Sequence, residues 1–299
     1  MSESRRPQIL ITGANGQLGR LVIAKLLQTL PPAQITAAAR HPASVSDLAA
    51  LGVDVRVADY DRPDTLDAAL AGIDRMLLVS SNNVTGRAAQ HQNVIEAALR
   101  AGVRLVVYTS ILHADTSTLA LARDHRETEA LLLKADLDTV MLRNGWYTEN
   151  LVMSLESALA NGAHYGCAGD GRIAAASRAD YAEAAAAVLI AEQPEPVYEL
   201  AGDNSFTLTE YAAEISRQSQ QSVRYVDLSQ ADYDAALVAA GLPAPLAGML
   251  ANADACAAEG YLFDDSGELS RLIGRPATAM GNVVSAALAA RSVLPVQAH

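Results

Sequence analysis

The first 150 residues alternate short, largely apolar runs with segments of helical length and period. That alternation constrains the fold more than any other feature. Ile9–Thr12, Ile35–Ala39, Val53–Ala58, Met76–Val79, Leu105–Thr109 and Thr139–Leu142 read as strands, apolar on both faces as a covered parallel sheet requires. Gln17–Thr29, Val45–Ala50, Pro63–Ala71, Ala88–Ala101 and His125–Ala135 read as helices between them, with Pro63 suited to a first turn and Gly102 to a helix end. Repeated strand–helix units with short connections predict the α/β class, a doubly wound parallel sheet. The rest is less regular: a helix at Ala179–Ala191, strands at Val197–Ala201 and Val223–Asp227, and a capping box at Thr207 and Glu210. Ser229 reads as the cap of Gln230–Ala240, and helical pattern runs from Pro245 with a stop at Gly274 and Pro276. The expected organisation is a nucleotide-binding domain over 1–150 and a smaller, mainly helical substrate lobe over 151–299, with about 172–202 returning to the sheet.

At Ile11–Arg20, ITGANGQLGR, the first strand runs into three glycines and then a helix. Gly13 permits the tight turn, Gly16 lets backbone amides approach a pyrophosphate, and Gly19 lets the helix pack against the sheet. The loop Gly13, Ala14, Asn15, Gly16, Gln17, Leu18 and Gly19 is therefore the expected pyrophosphate site of a Rossmann fold. An inert turn needing small residues is the plainer reading of the glycines alone. The second strand ends at Arg40, where NAD sites commonly carry a carboxylate for the ribose 2′-hydroxyl; no carboxylate follows until Asp47. A guanidinium suits a 2′-phosphate, which predicts NADPH over NADH. Other strand ends carry polar groups expected at the same edge: Asp59 and Tyr60, then Ser80, Ser81 and Asn82, then Thr109 and Ser110, then Asn144, Gly145, Trp146 and Tyr147.

Many reductases with such a loop use a Tyr-x-x-x-Lys pair. The two lysines here, Lys25 and Lys134, are preceded four positions earlier by Leu21 and Ala130, so the pair cannot exist. An unactivated ketone needs a proton donor for its alkoxide, whereas a reduced quinone leaves a stabilised phenolate that can take a proton from water. The acceptor is therefore expected to be a quinone or a similar flat electrophile. His125 is the ionisable candidate for catalysis, against an exposed helical histidine as the bland alternative; Trp146 and Tyr147 offer faces for stacking.

A net charge of −12 with 20 scattered arginines gives no basic stripe, which argues against direct nucleic-acid binding and against an anionic membrane surface. No run of about 18 apolar residues suggests a span. The polar stretch MSESRRPQ before the first strand gives no expectation of a signal peptide. Cys167 and Cys256 show neither metal nor redox spacing and fit a reducing, cytoplasmic setting. No metal site, flavin motif or Gly-x-Ser-x-Gly elbow is visible; the oligomeric state is open.

The segments ITGANGQLG, VADY, LLVSSNN, YTSILHADTS, HRETE, LRNGWYTEN, SRADYA and YELAGDNSFTLT, with FDDS and LIGRP further on, resemble the NmrA-like atypical short-chain dehydrogenases/reductases. Within them the chain is most similar to the bacterial type 2 NAD(P)H:quinone oxidoreductases, relatives of triphenylmethane reductase. The resemblance covers nearly the whole chain, and RNGWY and the HADTS segment are its specific parts. It implies a Rossmann domain with a C-terminal lobe enclosing a cleft, the pyrophosphate on Gly13 to Leu18 and a 2′-phosphate on Arg40. It further implies the nicotinamide half near Ser80–Asn82 and near Asn144, Gly145, Trp146, Tyr147, Thr148 and Glu149, with Asn144 as a second catalytic candidate. His125 stands where related reductases keep an active-site lysine, and Asn15 where they more usually carry threonine. NmrA-like proteins also include dinucleotide-binding regulators without turnover, so a non-catalytic NADP(H) sensor is the alternative function.

Overall fold

The computed structural model describes residues 7–83 and 86–293; MSESRR lies outside them. In chain order the first part comprises β1 (Ile9–Ile11), α1 (Gln17–Leu26), β2 (Ile35–Ala39), α2 (Ser46–Ala50), β3 (Asp54–Val57), α3 (Pro63–Leu70), β4 (Arg75–Leu78), α4 (Arg87–Ala101), β5 (Leu105–Ile111), α5 (Ala120–Lys134) and β6 (Asp138–Asn144). Then follow α6 (Thr148–Val152), α7 (Leu155–Asn161), β7 (Ala163–Gly166), α8 (Arg178–Ile190), β8 (Val197–Leu200), α9 (Leu208–Ser219), β9 (Arg224–Asp227), α10 (Gln230–Ala239), α11 (Ala244–Ala258), α12 (Glu268–Ile273) and α13 (Met280–Val293).

The chain forms two compact units. One holds the residues up to Ala114, Arg123–Asn144 and Arg178–Glu199; the other holds Asp115–Ala122, Gly145–Ser177 and the residues from Leu200. In the first, the sheet runs β3-β2-β1-β4-β5-β6-β8, with parallel pairing from β3 through β6. Strand order reverses between β1 and β4, so their C-terminal ends open the crevice in which doubly wound sheets bind ligands. One face of the sheet is closed by Leu66, Leu70, Val94, Ala98 and Leu132 against Leu10, Met76, Leu78, Tyr108 and Met141. On α1, Lys25 pairs with Glu183 of α8, tying those helices together. The doubly wound sheet expected from the strand–helix alternation is present, and β2 has the expected bounds.

One expected boundary is corrected. α5 starts at Ala120, five residues before His125 and upstream of the charged run DHRETE, and its first N–H, that of Ala120, is satisfied by Asn252 Oδ1 at 2.8 Å. His125 consequently lies inside the helix and is buried, 8% exposed, so it is not an exposed helical histidine.

The second unit is mainly helical around Leu155, Leu159, Ile173, Phe206, Tyr211, Ile215 and Val284. The capping box of α9 is complete: Glu210 N–H donates to Thr207 Oγ1 at 3.1 Å and Thr207 N–H to Glu210 Oε2 at 2.8 Å. Ser229 Oγ accepts from Asp232 N–H at the start of α10. This unit also holds a two-stranded parallel sheet of β7 and β9, where the sequence offers only β9 as a strand. The four residues AHYG of β7 are too short to show a periodic pattern. No helix among the described residues is long and apolar enough to cross a membrane.

Candidate active site: a dinucleotide crevice

After β1 the backbone turns at Gly13, whose φ of +58° is costly for any residue with a Cβ. Gly16 N–H closes the turn on the Gly13 carbonyl at 2.9 Å, and Ala14 N–H donates to Ala38 O of β2 at 3.1 Å. A Cβ on Gly19 would lie 2.4 Å from Gly13 O, so close approach of α1 to the loop requires glycine there. At Gly16 the nearest protein atom to such a Cβ is at 3.2 Å, a milder demand. Gly16 instead faces a crevice of about 560 Å³, which Gly13 and Asn15 also line. α1 has no side-chain cap and no acidic residue in its first turn, so its leading N–H groups and dipole are open to an anion. Ala14, Leu18 and Gly19 are buried in the turn and helix, and Gln17 is exposed; none of the four lines the crevice.

Across the crevice stands Arg40, at the end of β2 and exposed. Among the described residues its guanidinium makes no ion pair or hydrogen bond. The carboxylate that follows it, Asp47, is bound by Arg20 NH1 at 2.7 Å, and Arg20 NH2 also holds Ser44 O at 2.6 Å. The Arg20 hydrogen bond keeps the Asp47 carboxyl below its ordinary range. The end of β2 thus offers an unpaired cation and an already neutralised carboxylate. Tyr60 closes the floor, its hydroxyl donating to Thr12 Oγ1 at 2.6 Å or Val79 O at 2.9 Å, and burial raises its pKa.

The loop after β4 supplies the third wall with Ser80, Ser81, Asn82 and Asn83. Ser80 N–H donates to Thr109 Oγ1 at 2.8 Å, while Ser80 Oγ is buried without a hydrogen-bond partner. Every polar group of Ser81 is held from α4: its N–H by His91 Nε2 at 2.9 Å, its carbonyl by Arg87 Nε at 2.7 Å, and its hydroxyl by Gln90 Oε1 at 2.5 Å. Gln90 Nε2 in turn donates to Asp61 Oδ2 at 2.8 Å. Arg87, Gln90, His91 and Asp61 were not singled out in the sequence. The available signal was a histidine and a glutamine one turn into the helix that follows a ligand-edge strand.

Next along the sheet, Tyr108 OH and His125 Nδ1 lie 2.8 Å apart. Burial pushes Tyr108 up to about 12, with the Thr128 and Ser80 hydroxyls beside it opposing the shift. Burial, with Arg87 nearby, pushes His125 down to about 3, so both groups are neutral near pH 7. Arg143 binds Glu129 at 2.8 Å and Glu199 at 2.8 Å; burial works against its charge, but those two carboxylates hold it protonated. Glu129 also accepts from Ser110 Oγ at 2.5 Å. Asn144 ends β6, 5% exposed, with Oδ1 lacking a partner. Gly145, Trp146, Tyr147, Thr148 and Glu149 belong to the second unit and do not line the 560 Å³ crevice. There Gly145 N–H donates to Leu200 O, Thr148 N–H donates to Ala176 O, and Thr148 Oγ1 is a buried oxygen without a partner. Among the described residues no group of three or more His, Cys, Asp or Glu could hold a metal ion.

A glycine turn with a left-handed residue, an uncapped helix start, an unpaired arginine and an orphaned buried hydroxyl, all on one crevice, fit a phosphorylated dinucleotide. They define a dinucleotide-binding protein of the doubly wound class. The chain belongs to the NAD(P)H-binding family, whose model matches residues 13–192. It is 52% identical over 278 residues to quinone oxidoreductase 2 of Escherichia coli strain K12, covering 93% of this chain and 97% of that protein. The solved structure of the Escherichia coli NADPH-dependent quinone oxidoreductase complexed with NADPH matches with a TM-score of 0.92, covering 94% of this chain and 99% of that one at 52% identity. The Citrobacter sp. triphenylmethane reductase complexed with NADP(H) matches with a TM-score of 0.90 at 35% identity, covering 93% and 99%. The similarity to these reductases extends over 93–94% of the chain.

Proposed function

We propose that this protein is an NADPH-dependent reductase that passes hydride to quinones or similar flat electrophiles. The observation that carries the cofactor choice is the unpaired Arg40 beside an Asp47 already bound by Arg20. The acceptor class rests on the 52% identity to a quinone oxidoreductase along nearly all of both chains. Gly13, Asn15 and Gly16 with the first turn of α1 would hold the pyrophosphate, Arg40 the 2′-phosphate, and Ser80–Asn82 a ribose. In this reading Gly145, Trp146, Tyr147, Thr148 and Glu149 contact the nicotinamide half, and the second unit supplies the acceptor-binding lobe.

Bound NADPH supplies the hydride. The chain's own residues orient and desolvate the reactants, and positioning of this kind removes a large part of a transfer barrier. Addition of hydride to a quinone leaves a resonance-stabilised phenolate, and one proton from water completes the hydroquinone; no Tyr-x-x-x-Lys pair is needed. His125, neutral at pH 7, serves here as a hydrogen-bonding partner of Tyr108 rather than as an imidazolium acid. Asn144 Oδ1 is a buried acceptor suited to an N–H donor of a bound molecule. Both cysteines are buried free thiols, Cys167 pushed up by burial to about 12, which accords with a reducing compartment such as the cytosol.

The test is NADPH oxidation by the purified protein across a panel of quinones, with NADH in parallel. Turnover with NADPH preferred supports the reading. Tight NADPH binding without turnover on any acceptor would replace it with a sensor.

A further inference from the structure

Five residues from three parts of the chain, Ser81, Arg87, His91, Asp124 and Thr128, close a ring of hydrogen bonds behind the crevice. Ser81 N–H donates to His91 Nε2 at 2.9 Å. His91 Nε2 therefore carries no proton. The neutral ring must hold its proton on Nδ1, which lies 2.8 Å from Thr128 Oγ1. The Thr128 hydroxyl passes its own proton to Asp124 O at 3.0 Å. The Asp124 carboxylate accepts from Arg87 NH1 at 3.1 Å, and Arg87 Nε returns to Ser81 O at 2.7 Å. Each donor and acceptor has one consistent direction, so the ring admits one tautomer of His91.

Three of the five ring residues are out of water, His91 and Thr128 at 0% exposed and Arg87 at 6%, while Ser81 and Asp124 are half-buried. A buried arginine and a buried imidazole make costly packing, since apolar residues of the same shape would fill the space without desolvating polar groups. What the ring secures instead is direction. It grips both backbone polar groups of Ser81, the residue after Ser80, and so fixes the peptide that aims the Ser80 side chain. Ser80 Oγ is a buried hydroxyl on the crevice wall that lies beside the Tyr108 hydroxyl and makes no hydrogen bond of good geometry among the described residues.

We propose that His91, locked as the Nδ1–H tautomer by Thr128 and closed through Asp124 and Arg87, is a positioning residue that pre-sets the Ser80–Ser81 wall for the dinucleotide. This rests on the NADPH reading above. His91 also packs edge-on against Tyr60 and Tyr108, with centroids at 6.1 Å and 5.4 Å. His91→Phe therefore keeps an aromatic ring while removing both hydrogen bonds. Thr128→Val keeps the shape and removes one hydroxyl. His91→Gln returns an acceptor near Nε2.

The experiment measures the NADPH dissociation constant by fluorescence titration without any quinone, together with the melting temperature of each variant. His91→Phe and Thr128→Val are expected to weaken NADPH about five- to tenfold, the effect of one lost buried hydrogen bond, with His91→Gln recovering most of it. Nitrogen NMR of the wild type should show His91 protonated on Nδ1 alone. Wild-type affinity in folded His91→Phe or Thr128→Val, or a proton on Nε2, overturns the proposal; if His91→Phe does not fold, Thr128→Val decides. A wild-type protein that fails to bind NADPH would instead overturn the cofactor reading.

Discussion

Two loops face each other across the crevice, and they are built by opposite means. The loop after β1 owes its shape to absent side chains: Gly13 takes a left-handed φ, and Gly19 clears a backbone oxygen that a Cβ would approach to 2.4 Å. The loop after β4 owes its shape to buried polar side chains on α4, which bind the N–H, carbonyl and hydroxyl of Ser81. The first is local in sequence and cannot relax. The second is assembled from residues up to 47 positions apart, Ser81 to Thr128, and can lose one contact at a time. Equal functional importance can therefore come with unequal tolerance to mutation.

Breaking the glycine loop should have the largest effect. Gly19→Ala places a methyl against the Gly13 carbonyl oxygen and carbon at 2.4 and 2.9 Å, both backbone atoms that a rotamer change cannot move. The expected cost is on the order of 3 kcal/mol of stability, with NADPH binding lost in whatever fraction still folds. Thermal melting and an NADPH titration check it. A melting temperature and affinity like wild type would remove the contrast between the two loops.

That contrast also explains what could be read from the sequence. Gly13, Gly16, Gly19 and Arg40 are legible because strand, turn, helix and the next strand end follow one another without interruption from Ile9 to Arg40. Gly13, Asn15, Gly16, Arg40, Ser80, Ser81 and Asn82 line one crevice. His91 and Thr128 were not legible, because their partners come from three different elements and no fixed spacing links them. The charged neighbours Asp124 and Arg126 make an exposed histidine as natural a reading of His125 as a catalytic one. Yet in a helix those neighbours point about 100° away on either side, and His125 turns inward to Tyr108. The parallel pair β7 and β9 escaped for a similar reason, since about 60 residues separate its strands.

Arg40→Ala sharpens the comparison at the end of β2. Arg40 has no partner among the described residues to leave behind, so its loss should spare stability and fall on binding alone. A charge-assisted pair with a 2′-phosphate is worth roughly 1.5–3 kcal/mol, so NADPH should weaken about 10- to 100-fold while NADH stays nearly unchanged. The dissociation constants of the two cofactors measure it. Equal losses for both would exclude Arg40 from 2′-phosphate recognition.

The second unit carries a buried titratable group of the opposite sign to the buried histidines, and it gives the smallest expected effect. Asp254, on α11 and half-buried, accepts the Cys167 N–H at 3.1 Å. Burial, with Asp227 nearby, raises its carboxyl to about 6, while Tyr233 and the Cys167 thiol in the same cluster are themselves pushed up and stay neutral. Tyr225 donates to Asp227 at 2.6 Å and so keeps that second carboxylate anchored. A raised carboxyl pKa means that the folded chain binds the proton more tightly than the unfolded chain. The unfolded carboxyl titrates near 4, so the resulting stability is full below that and lost as pH rises through about 6. His91 and His125, both lowered to about 3, contribute in the reverse sense: stability present above about 6.5 is lost as pH falls. Asp254→Asn keeps an oxygen for the Cys167 N–H and removes the charge. It should raise stability by roughly 1–2 kcal/mol at pH 8, a few degrees in melting temperature, and change little at pH 4.5. Melting curves of the pair at the two pH values test this, and a gain of equal size at both would show that charge burial at Asp254 is not its cause.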